Sequence, residues 1–192
     1  MIDTYPVIFG WDISTSIIGV TTLTDSGSFV ESAFLDLRKC DKGLIDKTHE
    51  AECLIGLYAR SWGQWDNVHY VEDRLGNFSK GLTSLQTLMT LAAFNSSVSY
   101  VIWREFNACE GKTSVVHLHL MTIKSMMKKQ GLVIPKGANK KALTLEWVSL
   151  REPDFPVTLN KNGNPQPYCF DMADSYVVAK AGYLKGCSKL EK

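Results

Sequence analysis

The sequence predicts a mixed-sheet α/β domain. Three short β-branched segments joined by tight turns open the chain, which suggests an antiparallel meander. From about Asp46 onward the apolar period becomes helical, and helices alternate with single short strands. The 192 residues are 45% hydrophobic, enough to build one sizeable core, so one domain over 1–192 is expected.

Val7 to Ile13 reads as the first strand, and Ser14-Thr15-Ser16 as a polar turn. Ile17 to Leu23 is the second strand, because β-branched side chains fit a pleated surface. Asp25-Ser26-Gly27-Ser28 is a turn signal, and a third strand follows from Phe29 to Leu37. Ala51, Leu54, Ile55, Tyr58 and Trp62 recur at helical spacing, which places a helix over Asp46–Trp62. Val68 to Glu72 is a short strand that ends at an acid, and Gly76 to Gly81 is a loop. Leu82, Leu85, Leu88, Met89, Ala92 and Ala93 mark one face of a long helix reaching Trp103. Ser114–His119 reads as a strand, and Met121–Lys128, Ala138–Leu150 and Asp171–Leu184 as helices. Asp154 to Pro167 holds three of the six prolines and is expected to be an exposed loop.

Charged residues are 21% of the chain and the formal net charge is +1, which excludes a disordered acidic chain and a uniformly basic one. No apolar run approaches the roughly 18 residues that span a bilayer. No basic region precedes an apolar stretch at the start, so an intracellular, cytoplasmic location without membrane attachment is expected. None of the five cysteines forms a CxxC or CxH pair, which gives a zinc site little support. Reduced, mostly buried thiols are the expectation.

Four carboxylates stand out. Asp12 interrupts an apolar strand and Glu72 ends another. Asp171 and Asp174, at i and i+3, share a helical face. Taken alone, the last two could be a capping acid and a first-turn acid, which the helix dipole favours. Asp12 is harder to explain that way, since a buried carboxylate without a partner is costly. Together the four suit hard divalent cations, Mg²⁺ or Mn²⁺. A pair of such ions would activate water against a phosphodiester.

The order Gly10-Trp11-Asp12-Ile13-Ser14-Thr15-Ser16-Ile17-Ile18-Gly19, Tyr70-Val71-Glu72 and Asp171-Met172-Ala173-Asp174-Ser175 resembles the RuvC-type Holliday-junction resolvases of the ribonuclease H-like superfamily. The resemblance runs from Val7 to Leu184. It implies a ribonuclease H-like α/β fold, with a mixed five-stranded sheet (an antiparallel meander plus parallel strands) flanked by helices. It also implies a catalytic metal site at Asp12, Glu72, Asp171 and Asp174 that takes two ions. The implied activity is symmetric cutting of four-way DNA junctions by a homodimer, in DNA recombination and repair. A compact member without an annexed domain would suit a phage or another virus. The segment after Glu72 departs from the family, which tends to carry an aromatic residue there. Leu75 holds that near position and Phe78 comes later.

Charge distribution adds an independent signal. Gly111 to Leu145 holds seven lysines and no Asp or Glu, so the remainder carries about −6 against a total of +1. Such a run is either a solvated face or a phosphate-binding surface. The resemblance favours the second. It implies DNA contacts at Lys124, Lys136, Lys140 and Lys141, with Lys141 also catalytic, and at Arg74, Phe78 and Lys80 in the loop after Glu72. His117 and His119 share a strand face and are expected to be hydrogen-bonded rather than metal ligands. Trp62, Trp65, Trp103 and Trp147 are expected in the core or at a dimer interface, with the helix from Leu82 as the interface candidate.

Three alternatives remain at the level of sequence. One is a related nuclease acting on other branched DNA or on RNA–DNA hybrids. Another is an actin-like or sugar-kinase phosphate-binding domain, whose first phosphate motif Gly10–Ser16 resembles, though 192 residues are too few for that two-domain fold. The last is a junction-binding protein without catalysis.

Overall fold

The computed structural model describes residues 6–40, 43–73 and 84–190. Among them are β1 (Val7–Ile13), β2 (Ile17–Leu23), β3 (Phe29–Asp36), α1 (Leu44–Trp62), β4 (Asn67–Asp73), α2 (Leu85–Asn107), β5 (Thr113–His119), α3 (Leu120–Lys129), α4 (Lys140–Arg151) and α5 (Pro167–Leu190). The strands form one five-stranded sheet in the order β3-β2-β1-β4-β5. β1 pairs antiparallel with β2 and parallel with β4, and β4 pairs parallel with β5. This is the ribonuclease H-like arrangement expected from the sequence.

β1 and β2 are buried at every position because helices cover both sheet faces. Alternation divides β1 between two cores. Phe9, Trp11 and Ile13 pack with α1 and α2, while Ile8 packs with α3, α4 and α5. Behind the sheet, Trp11 Nε1 donates to His69 Nδ1 at 3.2 Å, and the His69 ring stacks on Phe9 with centroids 4.7 Å apart. Full burial pulls the His69 pKa down to about 3, so the ring is neutral at ordinary pH.

Two glycines let α5 lie unusually close to the sheet. A Cβ on Gly10 would stand 2.3 Å from the Ser175 carbonyl oxygen, and one on Gly19 would stand 2.4 Å from the Asp171 carbonyl oxygen. Thr21 then fixes the helix register, its Oγ1 lying 2.8 Å from Ser175 Oγ. Both glycines therefore act on α5, and α5 carries two of the four acids.

Several boundaries differ from the sequence reading. α5 begins at Pro167, so Asp171 is its fifth residue and no acid lies in the first turn. The helix-start explanation for Asp171 and Asp174 is therefore wrong. Proline is preorganised for the first helical position, and it sets the start one turn earlier than the apolar pattern did. α4 begins at Lys140 rather than Ala138, because Asn139 caps it by accepting from the Ala142 N–H at 3.2 Å. The segment before Pro167 is not wholly exposed: Phe155 is buried and packs beside Phe29 and Tyr176. Among the described free cysteines only Cys169 is buried, and Cys53 is exposed. No helix of the described residues is long and apolar enough to cross a membrane.

Candidate active site

Asp12 is the sixth residue of β1 and 4% exposed. It sits on the same face as Ile8 and Gly10, toward α5. Glu72 is the sixth residue of β4. Its neighbour Val71 pairs with Trp11 in the parallel register, so the two acids end adjacent strands on one face. The carboxyl ends of parallel strands are where open α/β sheets place their ligands. Ser14 closes the turn beyond Asp12, accepting from the Ile17 N–H at 3.0 Å. Asn95 of α2 donates to the Glu72 carbonyl at 3.2 Å and ties down the end of β4.

α5 brings the other two carboxylates over these strand ends. Asp171 and Asp174, one turn apart, are both largely buried. Burial, and then the field of Asp12, push the Asp174 carboxyl up to about 6, with Glu72 acting in the same direction. Lys141, the second residue of α4, reaches into this group. Its Nζ lies 2.7 Å from Asp171 Oδ1 and 4.0 Å from Asp174 Oδ2. Burial works against the Lys141 charge. The hydrogen bond to Asp171 and the fields of Asp171, Asp174 and Asp12 outweigh it and raise the pKa. The Arg38 guanidinium, just past β3, also feels the Asp171 charge.

The donor chemistry fits a hard divalent cation. The group offers carboxylate oxygens only, and their mutual repulsion, visible at Asp174, is what a cation would relieve. Among the described residues no three Asp, Glu, His or Cys side chains stand ready around one point. Instead the Lys141 ammonium is drawn to the α5 carboxylates.

The basic residues divide. Lys124 and Lys140 line one cavity together with Glu72 and Asp174. Lys141 meets the acids directly. Lys136 is exposed on the segment between α3 and α4 and lines no part of that cavity. Arg74, Phe78 and Lys80 lie outside the described residues. His119 is a helix cap, its Nδ1 accepting from the Met121 N–H at 3.2 Å, and His117 is exposed on the edge strand β5.

Sequence reasoning counted Lys128 in the basic run without giving it a contact, and passed over Thr144; both line the same cavity. It also passed over the positioning role of Gly10, Gly19, Thr21 and Ser175. A glycine in the middle of a strand, where it weakens pairing, was the available signal for close backbone approach. Nothing in the sequence marks Thr144.

No family model and no curated protein sequence matches this chain. Solved structures do. The Thermus thermophilus RuvC structure superposes with a TM-score of 0.60 at 11% identity, over 95% of this chain and 96% of that one. T. thermophilus RuvC in complex with Holliday junction substrate superposes with a TM-score of 0.59 at 10% identity, over 94% and 95%. The fold is therefore RuvC-like along nearly the whole chain.

Proposed function

We propose that this chain is a divalent-metal-dependent endodeoxyribonuclease that resolves four-way DNA junctions. The observation that carries the reading is that Asp174 feels the charges of both Asp12 and Glu72, and shares Lys141 with Asp171, beside a lysine-lined cavity. The fold supports it, since one RuvC neighbour is described in complex with a Holliday junction.

In this reading the four carboxylates would hold two Mg²⁺ or Mn²⁺ ions. Bound there, the metal supplies an activated water and offsets the charge that develops on the phosphodiester. The remaining work belongs to the chain. Lys124, Lys136 and Lys140 bind backbone phosphates and fix the position of the DNA. Lys141 orients Asp171 through their hydrogen bond and adds a positive charge beside the phosphate to be cut. Arg74, Phe78 and Lys80 are assigned to the DNA crossover.

A four-way junction has two-fold symmetry, so two symmetric cuts require two sites, and the proposed assembly is a homodimer. Leu85, Met89, Tyr100 and Trp103 are all exposed on α2. At 3.6 residues per turn they fall on one helix face, a stripe suited to a second copy of the chain.

The decisive experiment is gel analysis of the purified protein on a synthetic four-way junction, with and without Mg²⁺. The expected result is paired symmetric nicks that require Mg²⁺, with Asp12→Asn binding the junction but not cutting it. Equal cutting of linear duplex, or near-normal cutting by Asp12→Asn, would overturn the reading. Cutting of three-way junctions, flaps or RNA–DNA hybrids in preference would transfer the chain to a related nuclease activity.

A further inference from the structure

Between Asp154 and Asp171 the chain carries no Asp or Glu and one Lys, together with three Asn and one Gln. Within this stretch the chain folds back on itself as a hairpin. Leu159 bridges Pro165 in antiparallel fashion, and the Gln166 N–H donates to the Thr158 carbonyl at 2.8 Å. At the tip Gly163 takes a φ of 77°, a conformation that favours glycine. Asn160 Oδ1 accepts from the N–H groups of Asn162 at 2.8 Å and Asn164 at 3.2 Å. The Thr158 N–H meets the buried Cys169 sulfur at 3.4 Å, which ties the base of the hairpin to α5. Built this way, the tip leaves Lys161, Asn162 and Asn164 exposed.

Strand register places the hairpin at the acids' end of the sheet. Asp12 pairs with Gly19, and Gly19 pairs with Phe34. Neighbouring strands lie about 4.8 Å apart, so Phe34 stands roughly 10 Å from Asp12. The Tyr168 ring stacks on Phe34 with centroids 3.7 Å apart, so the first turn of α5 lies level with Asp12 on the β3 side. Phe155 packs beside Phe29 of β3, which brings the preceding segment along that side too. From Gln166 the tip is four residues away, a reach of at most about 14 Å. Arg38, just past β3, is half-exposed on the same flank, and its guanidinium feels the Asp171 charge. The lysine-lined cavity opens on the other flank, at Glu72 of β4 and Val177 and Val178 of α5.

We propose that the hairpin is a second DNA-contact surface, which holds the sugar–phosphate backbone on the β3 side of the cut. Lys161 supplies charge, and Asn162 and Asn164 supply amide donors, to phosphate oxygens. A hairpin without acids does not repel a polyanion. One already fixed by its own hydrogen bonds has less freedom to lose on binding. With the lysines of α3 and α4 on the opposite flank, the strand to be cut is held on both sides of the acids. The inference rests on the nuclease reading and deepens it.

Lys161→Ala tests the charge. Junction affinity should fall about fivefold at physiological salt and the salt slope by about one, since one phosphate contact is lost. The single-turnover rate at saturating protein should stay as in wild type, because the hairpin does not touch the reacting atoms. Arg60→Ala removes an equal charge from the last turn of α1 and should change neither affinity nor slope.

Iron–EDTA tethered at Asn162→Cys, in a Cys53→Ser background on a metal-free junction, tests the placement. The same treatment without Asn162→Cys gives the background. Strand breaks above it should lie on the opposite side of the cut phosphate from those made by a tether at Ser125→Cys of α3. Wild-type affinity and slope in Lys161→Ala, or breaks on the same side from both tethers, would overturn the hairpin surface while the protein still cuts junctions. Weakened Lys161→Ala binding and breaks from the Asn162 tether, on a protein that binds junctions without cutting them, would leave the surface standing and end the nuclease reading. A protein that binds no DNA would end both.

Discussion

The Lys141 ammonium of α4 closes on the Asp171 carboxylate of α5 at 2.7 Å, joining two helices at the point where the acids gather. A cation beside the α5 carboxylates offsets part of the repulsion among the acids. The same charge lies beside the proposed scissile phosphate.

Lys141→Ala therefore separates two effects. Junction affinity should fall modestly, with the salt slope reduced by about one, since each phosphate contact releases about one counterion. Cutting at saturating protein should slow by about 10²-fold, the size expected for losing one electrostatic stabiliser. Filter binding across a salt series and single-turnover kinetics measure the two. An unchanged rate would remove Lys141 from the machinery and leave it as a structural ion pair.

Gly19 tests how far the acids depend on the fit between α5 and the sheet. A methyl group on Gly19 would meet the Asp171 carbonyl oxygen at 2.4 Å, and that oxygen belongs to helix backbone. Gly19→Ala should destabilise by about 1–3 kcal/mol, as overpacking does, and should slow cutting by displacing Asp171. Gly43→Ala is the control, because nothing lies within 4 Å of the added carbon. Thermal melts that match for the two variants would mean that α5 shifts freely, contrary to the packing described.

His69 gives the protein a calculable weakness to acid. Its folded pKa is depressed to about 3, so the unfolded chain takes up the proton first as pH falls. The stabilisation from keeping the ring neutral is complete above the unfolded value of about 6.5, and is lost between there and about 3. Between pH 7 and pH 5 this amounts to about 2 kcal/mol. Urea unfolding at both values should show that loss in wild type and a smaller one in His69→Phe. The variant also loses the acceptor for Trp11, but at both pH values alike, so the difference isolates the proton. Equal losses in the two proteins would refute the assignment.

Trp103 probes the proposed dimer. It lies on the exposed stripe of α2 and is 45% exposed, so a charged replacement there leaves the core untouched. Trp103→Glu should sediment as a monomer with an unaltered melting profile, and should turn paired cuts on a cruciform plasmid into single nicks. A wild-type protein that sediments as a monomer at all concentrations would end the homodimer proposal.

Element identity was readable from the chain because periodicity is local. Apolar, β-branched runs bounded by turn residues marked β1 and β2, and helical spacing marked α1 and α2. Asp12 was legible as a candidate because an acid inside an apolar strand is an anomaly without any partner in view. The start of α5 was misread, since Pro167 acts through its own ring geometry and not through the apolar pattern. Tertiary packing decided everything that depends on two distant segments touching. The gap that Gly19 leaves for Asp171, the reach of Lys141 to the α5 acids, and the cavity that Glu72, Asp174 and three lysines line together exist only once α4 and α5 lie on the sheet. Spacing along a chain specifies which side chains share a face. Which faces meet, and how closely, is set by the volume between them.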